Sequence, residues 1–127
     1  AGVWRELIET AERIVPRQLS IGFDYTDPVL KNFVRREDDG LLCAVDVESL
    51  ACDRPLGTGI AKASAFWLTP PLRERLLAQL DETGPGLRAQ LPFVELCFLA
   101  RWAKTRFLTG KNRQVHEALF APFRRLD

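Results

Sequence analysis

Histidine occurs once in this chain, at position 116, and cysteine three times, at 43, 52 and 97. One imidazole and three scattered thiols cannot furnish a His/Cys metal cluster, and the odd cysteine count shows none of the paired spacings of a zinc site or redox pair. The cysteines therefore read as reduced packing residues. Long apolar runs are also missing: Arg101 and Lys104 interrupt the most hydrophobic stretch, so no membrane span is expected, and the N-terminus carries no signal-peptide pattern. A reducing cytoplasm is the expected location. There is no large excess of either charge. The formal net charge of +1 gives no overall attraction to nucleic acid or to an anionic membrane. The charge is uneven, however, because residues 101–127 hold seven basic side chains against two acidic ones, which reads as a solvated helix face. Repeats, low-complexity tracts and linkers are absent, so the 127 residues are read as a single domain with enough apolar content for a core.

The residues that are present alternate between helical periodicity and turn signals. In residues 3–15, Val3, Trp4, Leu7, Ile8, Ala11, Ile14 and Val15 recur at three- and four-residue steps, which predicts a helix stopped by Pro16. Residues 19–25 suit an extended approach to a loop. Pro28 disfavours helical geometry in the residue before it, placing Asp27 on that loop. Residues 33–36 and 41–47 flank Glu37-Asp38-Asp39-Gly40, whose Asp-Gly pair predicts a β-hairpin. Beyond the hairpin the pattern becomes helical. A short helix is expected over 60–67. A second follows Thr69 as N-cap, with Pro70-Pro71 in its first turn, and ends at Gly84-Pro85-Gly86. A third is expected over 92–108 and a last over 112–119. The fold class is accordingly α+β, mainly helical with one β-hairpin. Trp4, Trp67 and Trp102 read as core or interface anchors, and His116 as a packing or surface residue.

Asp27, Asn32 and Asp46 carry the chemical signal. An acid, an amide five residues on, and a second acid after a hairpin suit phosphoryl transfer, in which one carboxylate orients a hydroxyl while the amide and the other carboxylate hold magnesium. Asp24 is a second carboxylate nearby, read as an Asx-turn residue. Glu48 has two readings, metal assistant or solvated strand side chain. Gly57-Thr58-Gly59 lacks P-loop spacing and reads as an ordinary cap or turn before a helix.

The segment from Tyr25-Thr26-Asp27-Pro28-Val29-Leu30-Lys31-Asn32 to Asp46-Val47-Glu48 resembles the catalytic loop and metal-binding strand of the protein-kinase-like superfamily, with the remaining helices similar to its C-lobe. Asp46-Val47-Glu48 in place of Asp-Phe-Gly is more similar to small-molecule kinases of the aminoglycoside, choline or lipopolysaccharide type than to protein kinases. By that likeness Asp27 is the catalytic residue, Asn32 and Asp46 are metal ligands, magnesium and ATP are the cofactor and co-substrate, and the acceptor is a hydroxyl on a small molecule or lipid-linked sugar. The pattern departs at Tyr25-Thr26, where the family has a histidine, and at Val29, where protein-serine kinases often carry lysine. One helix precedes the loop, so the expectation is a kinase-like C-terminal lobe without its N-lobe, inactive alone. A missing N-lobe or a homo-oligomer would cover its exposed edges. The alternative expectation is a non-catalytic pseudokinase-like or helical interaction module.

Overall fold

The computed structural model describes residues 2–82, 84 and 86–108. Helix α1, Gly2–Ile14, leads into strand β1, Ile21–Tyr25, and then to a single 3₁₀ turn, Leu30–Asn32. Strands β2, Phe33–Arg35, and β3, Leu42–Ala44, form the expected hairpin with Phe33 opposite Ala44 and Arg35 opposite Leu42. Gly40 adopts φ +70°, the left-handed conformation that its Asp-Gly context demands. A second 3₁₀ turn, Val47–Ser49, precedes strand β4, Leu50–Pro55. Helices α2, Thr58–Phe66, α3, Pro70–Asp81, and α4, Leu87–Leu108, complete the described chain. The domain is α+β and mainly helical. The helix expected over 112–119 and His116 lie outside the described residues.

Three differences from expectation have local causes. Strand β4 was not expected; it pairs antiparallel with β1, and the register slips so that Cys52 and Asp53 stand opposite the single Phe23. Such a bulge breaks the two-residue alternation that would have marked the strand. Helix α4 begins at Leu87, five residues before Pro92, which sits within it and cannot donate an amide to the turn before. Thr69 does occupy the N-cap of α3, but its hydroxyl makes no capping bond.

The core lies where α2, α3 and α4 meet, around Ala61, Ala63, Leu68, Leu77, Leu91 and Val94. Helix α1 adds Leu7, Ala11 and Ile14 against Leu96 and Leu99 of α4. The β1–β4 ribbon is fastened to these helices by polar groups. Gln90 of α4 is 2% exposed, accepts the Ser20 amide at 2.8 Å, and donates to the carbonyls of Ser20 at 3.1 Å and Leu56 at 2.7 Å. Each of these bonds satisfies a group that is costly to bury alone. Asp24 of β1 accepts the amides of Gly57 at 2.8 Å and Gly59 at 2.9 Å, so a strand carboxylate caps the N-terminus of α2. Asp24 is thus a cap for a distant helix, where an Asx turn was expected.

Gly59 has no steric freedom to change, since a Cβ there would lie 2.1 Å from the Tyr25 carbonyl oxygen. Gly59→Ala should destabilise the fold by about 3 kcal/mol through forced separation of β1 and α2. Gly2→Ala, where a Cβ meets nothing within 4 Å, should change stability by less than about 1 kcal/mol. Urea unfolding of the two variants checks this contrast.

Candidate functional site

The loop after β1 is held from three sides. Thr26 donates both its amide, at 2.8 Å, and its hydroxyl, at 2.9 Å, to the Ser49 carbonyl. Trp67 donates its indole N–H to the Pro28 carbonyl at 2.6 Å, so this tryptophan anchors the loop as well as packing. The Tyr25 ring meets Phe33 edge-on at 5.8 Å. Asp27 is thereby fixed in a chain segment that has few backbone bonds of its own.

Two of the three expected site residues meet directly. Asn32 is buried, and its amide nitrogen donates to the Asp27 backbone carbonyl at 3.0 Å and to Asp27 Oδ2 at 3.3 Å. With its donor end turned to Asp27, Asn32 retains the amide oxygen as a hard ligand. Asp46 reaches the pair through intermediaries. The amide of its neighbour Val45 donates to the Asn32 carbonyl at 2.9 Å. The Asp46 carboxylate accepts the Ser49 hydroxyl at 2.9 Å, and Ser49 is the residue that Thr26 grips. Among the described residues, no hydrogen bond joins the Asp46 carboxylate directly to Asp27 or Asn32.

The oxygen set fits magnesium in kind. No group of three or more His, Cys, Asp or Glu side chains among the described residues forms a complete metal cage. Magnesium needs no such cage when it is held by one or two protein oxygens and by substrate phosphates. Ser49 orients one oxygen of Asp46 and leaves the other available.

Lys62, on α2, is a site residue that the sequence reading missed. Its ammonium pairs with Asp27 Oδ1 across 35 positions of sequence. That hydrogen bond is the main cause holding the Asp27 carboxyl below the usual carboxylate range. Partial burial opposes it, and the lysine's charge, Asn32 and Lys31 act in the same lowering sense. Asp27 is therefore a carboxylate at any physiological pH, suited to accept a hydrogen bond from a hydroxyl. Position 29 is valine, and the cation beside Asp27 arrives from another element.

Asp27 and Lys62 line a cleft of about 550 Å³ between β4, α2 and α4, with Arg54, Arg101 and several aromatic side chains. Cys97 also lines it. Cys97 and Cys52 are exposed as residues, contrary to their reading as packing residues, and partial desolvation of the Cys97 thiol against the cleft wall raises its pKa. A second cavity of about 520 Å³ is mainly apolar and holds none of Asp27, Asn32 and Asp46. The amides of Gly57 and Gly59 are spent on Asp24, which excludes them from cradling a phosphate. No protein-family model, curated protein or solved structure matches the chain.

Because Asp27 has a lowered pKa in the folded state, its pairing contributes stability in full above the unfolded-state pKa and loses it as pH falls through the lower folded value. Lys62→Met should move the Asp27 titration upward and reduce the loss of stability on acidification. Carboxyl ¹³C NMR across an acid titration reads the first change, and urea unfolding at neutral and acidic pH reads the second.

Proposed function

We propose that the chain is the C-lobe of a kinase-like phosphotransferase that uses ATP and magnesium to phosphorylate a hydroxyl on a small molecule or lipid-linked sugar. The observation that carries this reading is the Asn32 amide bound to Asp27, with Asp46 tied to the same loop through Ser49 and Thr26. The reaction would use a hairpin that ties a second acid to the loop carrying an acid–amide pair. Asp27 orients the acceptor hydroxyl. Its oxygen forms a bond to the γ-phosphorus as the bond from that phosphorus to the β–γ bridging oxygen breaks, ADP departs, and the hydroxyl proton passes to Asp27. Asn32 and Asp46 would hold magnesium, which when bound would supply charge neutralisation on the phosphate oxygens. Lys62 fixes the Asp27 rotamer and keeps positive charge where the transferred phosphoryl group acquires contacts.

Two further features belong with this reading. Phe23, Leu30, Val34, Leu42, Val45 and Val47 are exposed large apolar residues on β1, the hairpin and the adjoining turns. An N-lobe, or a second copy of the chain, would cover them, and nucleotide binding should be weak without that cover. ATP as co-substrate and three unpaired cysteines suit a cytoplasmic setting. Among the described residues no helix is long and apolar enough to cross a membrane.

Titration of magnesium with ATP, followed by thermal unfolding, tests the proposal. At ligand concentrations ten times Kd, binding should stabilise the chain by about 1.4 kcal/mol, which raises Tm by about 5 °C. Asp46→Asn and Asn32→Ala should remove the metal-dependent part. Identical curves for the parent and both variants contradict the site.

A further inference from the structure

The loop after β1 divides two cavities: Thr26 and Asp27 line the charged cleft, whereas Tyr25 and Pro28 line the apolar one of about 520 Å³. The apolar walls come from separate elements, with Tyr25 from β1, Phe33 from β2, Ile60 from α2 and Leu76 from α3, and with Leu56 and Trp67 beside them. Each of these six residues is only half-buried. A packed core would close over such a convergence. The buried polar side chains of the wall are otherwise occupied. Both Asp24 oxygens accept amides, from Gly57 and Gly59; Gln90 accepts the Ser20 amide and donates to two carbonyls; the Trp67 indole donates to the Pro28 carbonyl. The exception is Tyr25, whose hydroxyl oxygen is buried with no hydrogen-bond partner among the described residues. An unpaired buried hydroxyl is costly, and a ligand that brings a partner removes the cost.

We propose that this cavity binds a neutral single-chain lipid, an alkyl chain ending in an alcohol, ester or ether oxygen, and that the Tyr25 hydroxyl donates to that oxygen. The site stands apart from the phosphotransferase reading, since it holds none of Asp27, Asn32 and Asp46. A volume of about 520 Å³ lies within the range of sites for small ligands. Charge decides for a neutral head. Asp24 is the single charged residue among the described lining residues, and no lysine, arginine or histidine stands among them to pair a fatty-acid carboxylate. An anion would lose its hydration there without compensation. Shape decides for a flexible chain. Tyr25 and Phe33 meet with 67° between their planes, so these rings leave no parallel faces to sandwich a planar aromatic ligand. A chain can follow the uneven wall of Leu56, Ile60 and Leu76. Ser20 and Phe23, both exposed, mark the side that solvent reaches. The Tyr25 hydroxyl is closed off from water, so its bond to the ligand forms as the ring tilts from its edge-on contact with Phe33.

Tyr25 is the one tyrosine in the chain, so ¹³C at the hydroxyl-bearing ring carbon of tyrosine gives a single NMR signal for this group. The full chain, labelled there and at the isoleucine and leucine methyls, is titrated with 1-decanol, decanoate and 1-naphthol. 1-Decanol should shift the Tyr25 signal and the Ile60 and Leu76 methyls, and should bind at least about tenfold more tightly than decanoate or 1-naphthol. Tyr25→Phe should weaken 1-decanol binding about fivefold while leaving Tm unchanged or higher, because no native hydrogen bond is lost. A purely structural tyrosine would give the reverse, a lower Tm with affinity intact. Leu76→Trp, which fills the cavity, should abolish binding. Decanoate or 1-naphthol binding as tightly as 1-decanol, unchanged 1-decanol affinity in Tyr25→Phe, or shifts confined to the residues of the Asp27 cleft overturns the proposal. Absence of 1-decanol binding overturns it whatever the titration with magnesium and ATP shows, since the two sites share none of the proposed phosphotransfer residues.

Discussion

The grip of the Asp24 carboxylate on the Gly57 and Gly59 amides sets the positions on which the rest of the site depends. It fastens a strand to the start of a helix that lies more than thirty residues away in sequence. Three residues beyond Asp24 is Asp27; three residues beyond Gly59 is Lys62. The two chains leave the clasp together, and the ion pair closes between them. Gly59 admits this approach because it has no Cβ to strike the Tyr25 carbonyl. Charge-assisted bonds to two backbone amides are stronger than neutral ones, and their loss would free strand and helix at once.

Gln90 supports the same clasp from behind. Its side-chain amide serves the ends of β1 and β4 simultaneously, so the ribbon cannot slide without leaving buried polar groups unmatched. The apolar packing of α2, α3 and α4 supplies most of the burial, but it is indifferent to register along the ribbon. Polar groups provide that register. Arg73 and Glu95 join α3 to α4 in a similar way: burial raises the Glu95 pKa, and the arginine hydrogen bond at 2.7 Å opposes the rise.

Elements built from local pattern were legible in the sequence. The spacing of Leu7, Ala11 and Ile14 marked α1, Asp39-Gly40 marked the hairpin turn, and Pro70-Pro71 marked the start of α3. Strand β4 was not legible, because a bulge disturbs its alternation. Its partner β1 lies some 25 residues earlier, and no local signal announces such pairing. The Asp27–Asn32 contact spans five residues and could be anticipated from spacing. Lys62 could not, since its relation to Asp27 exists only after β1, β4 and α2 have assembled. The cleft cations share this property, as Arg54, Lys62 and Arg101 come together from three elements. Sequence spacing thus reveals a site's local half, and tertiary folding supplies the half that sets its charge.

The central claim is that Asn32 and Asp46 serve one divalent ion beside Asp27. Paramagnetic relaxation with manganese substituted for magnesium, in the presence of ATP, tests it most directly. The account predicts the strongest broadening at the Asn32 side-chain amide and at the backbone amides of Asp27 and Asp46. Broadening confined to the acidic hairpin turn at Asp38 and Asp39, with those three residues unaffected, would contradict it.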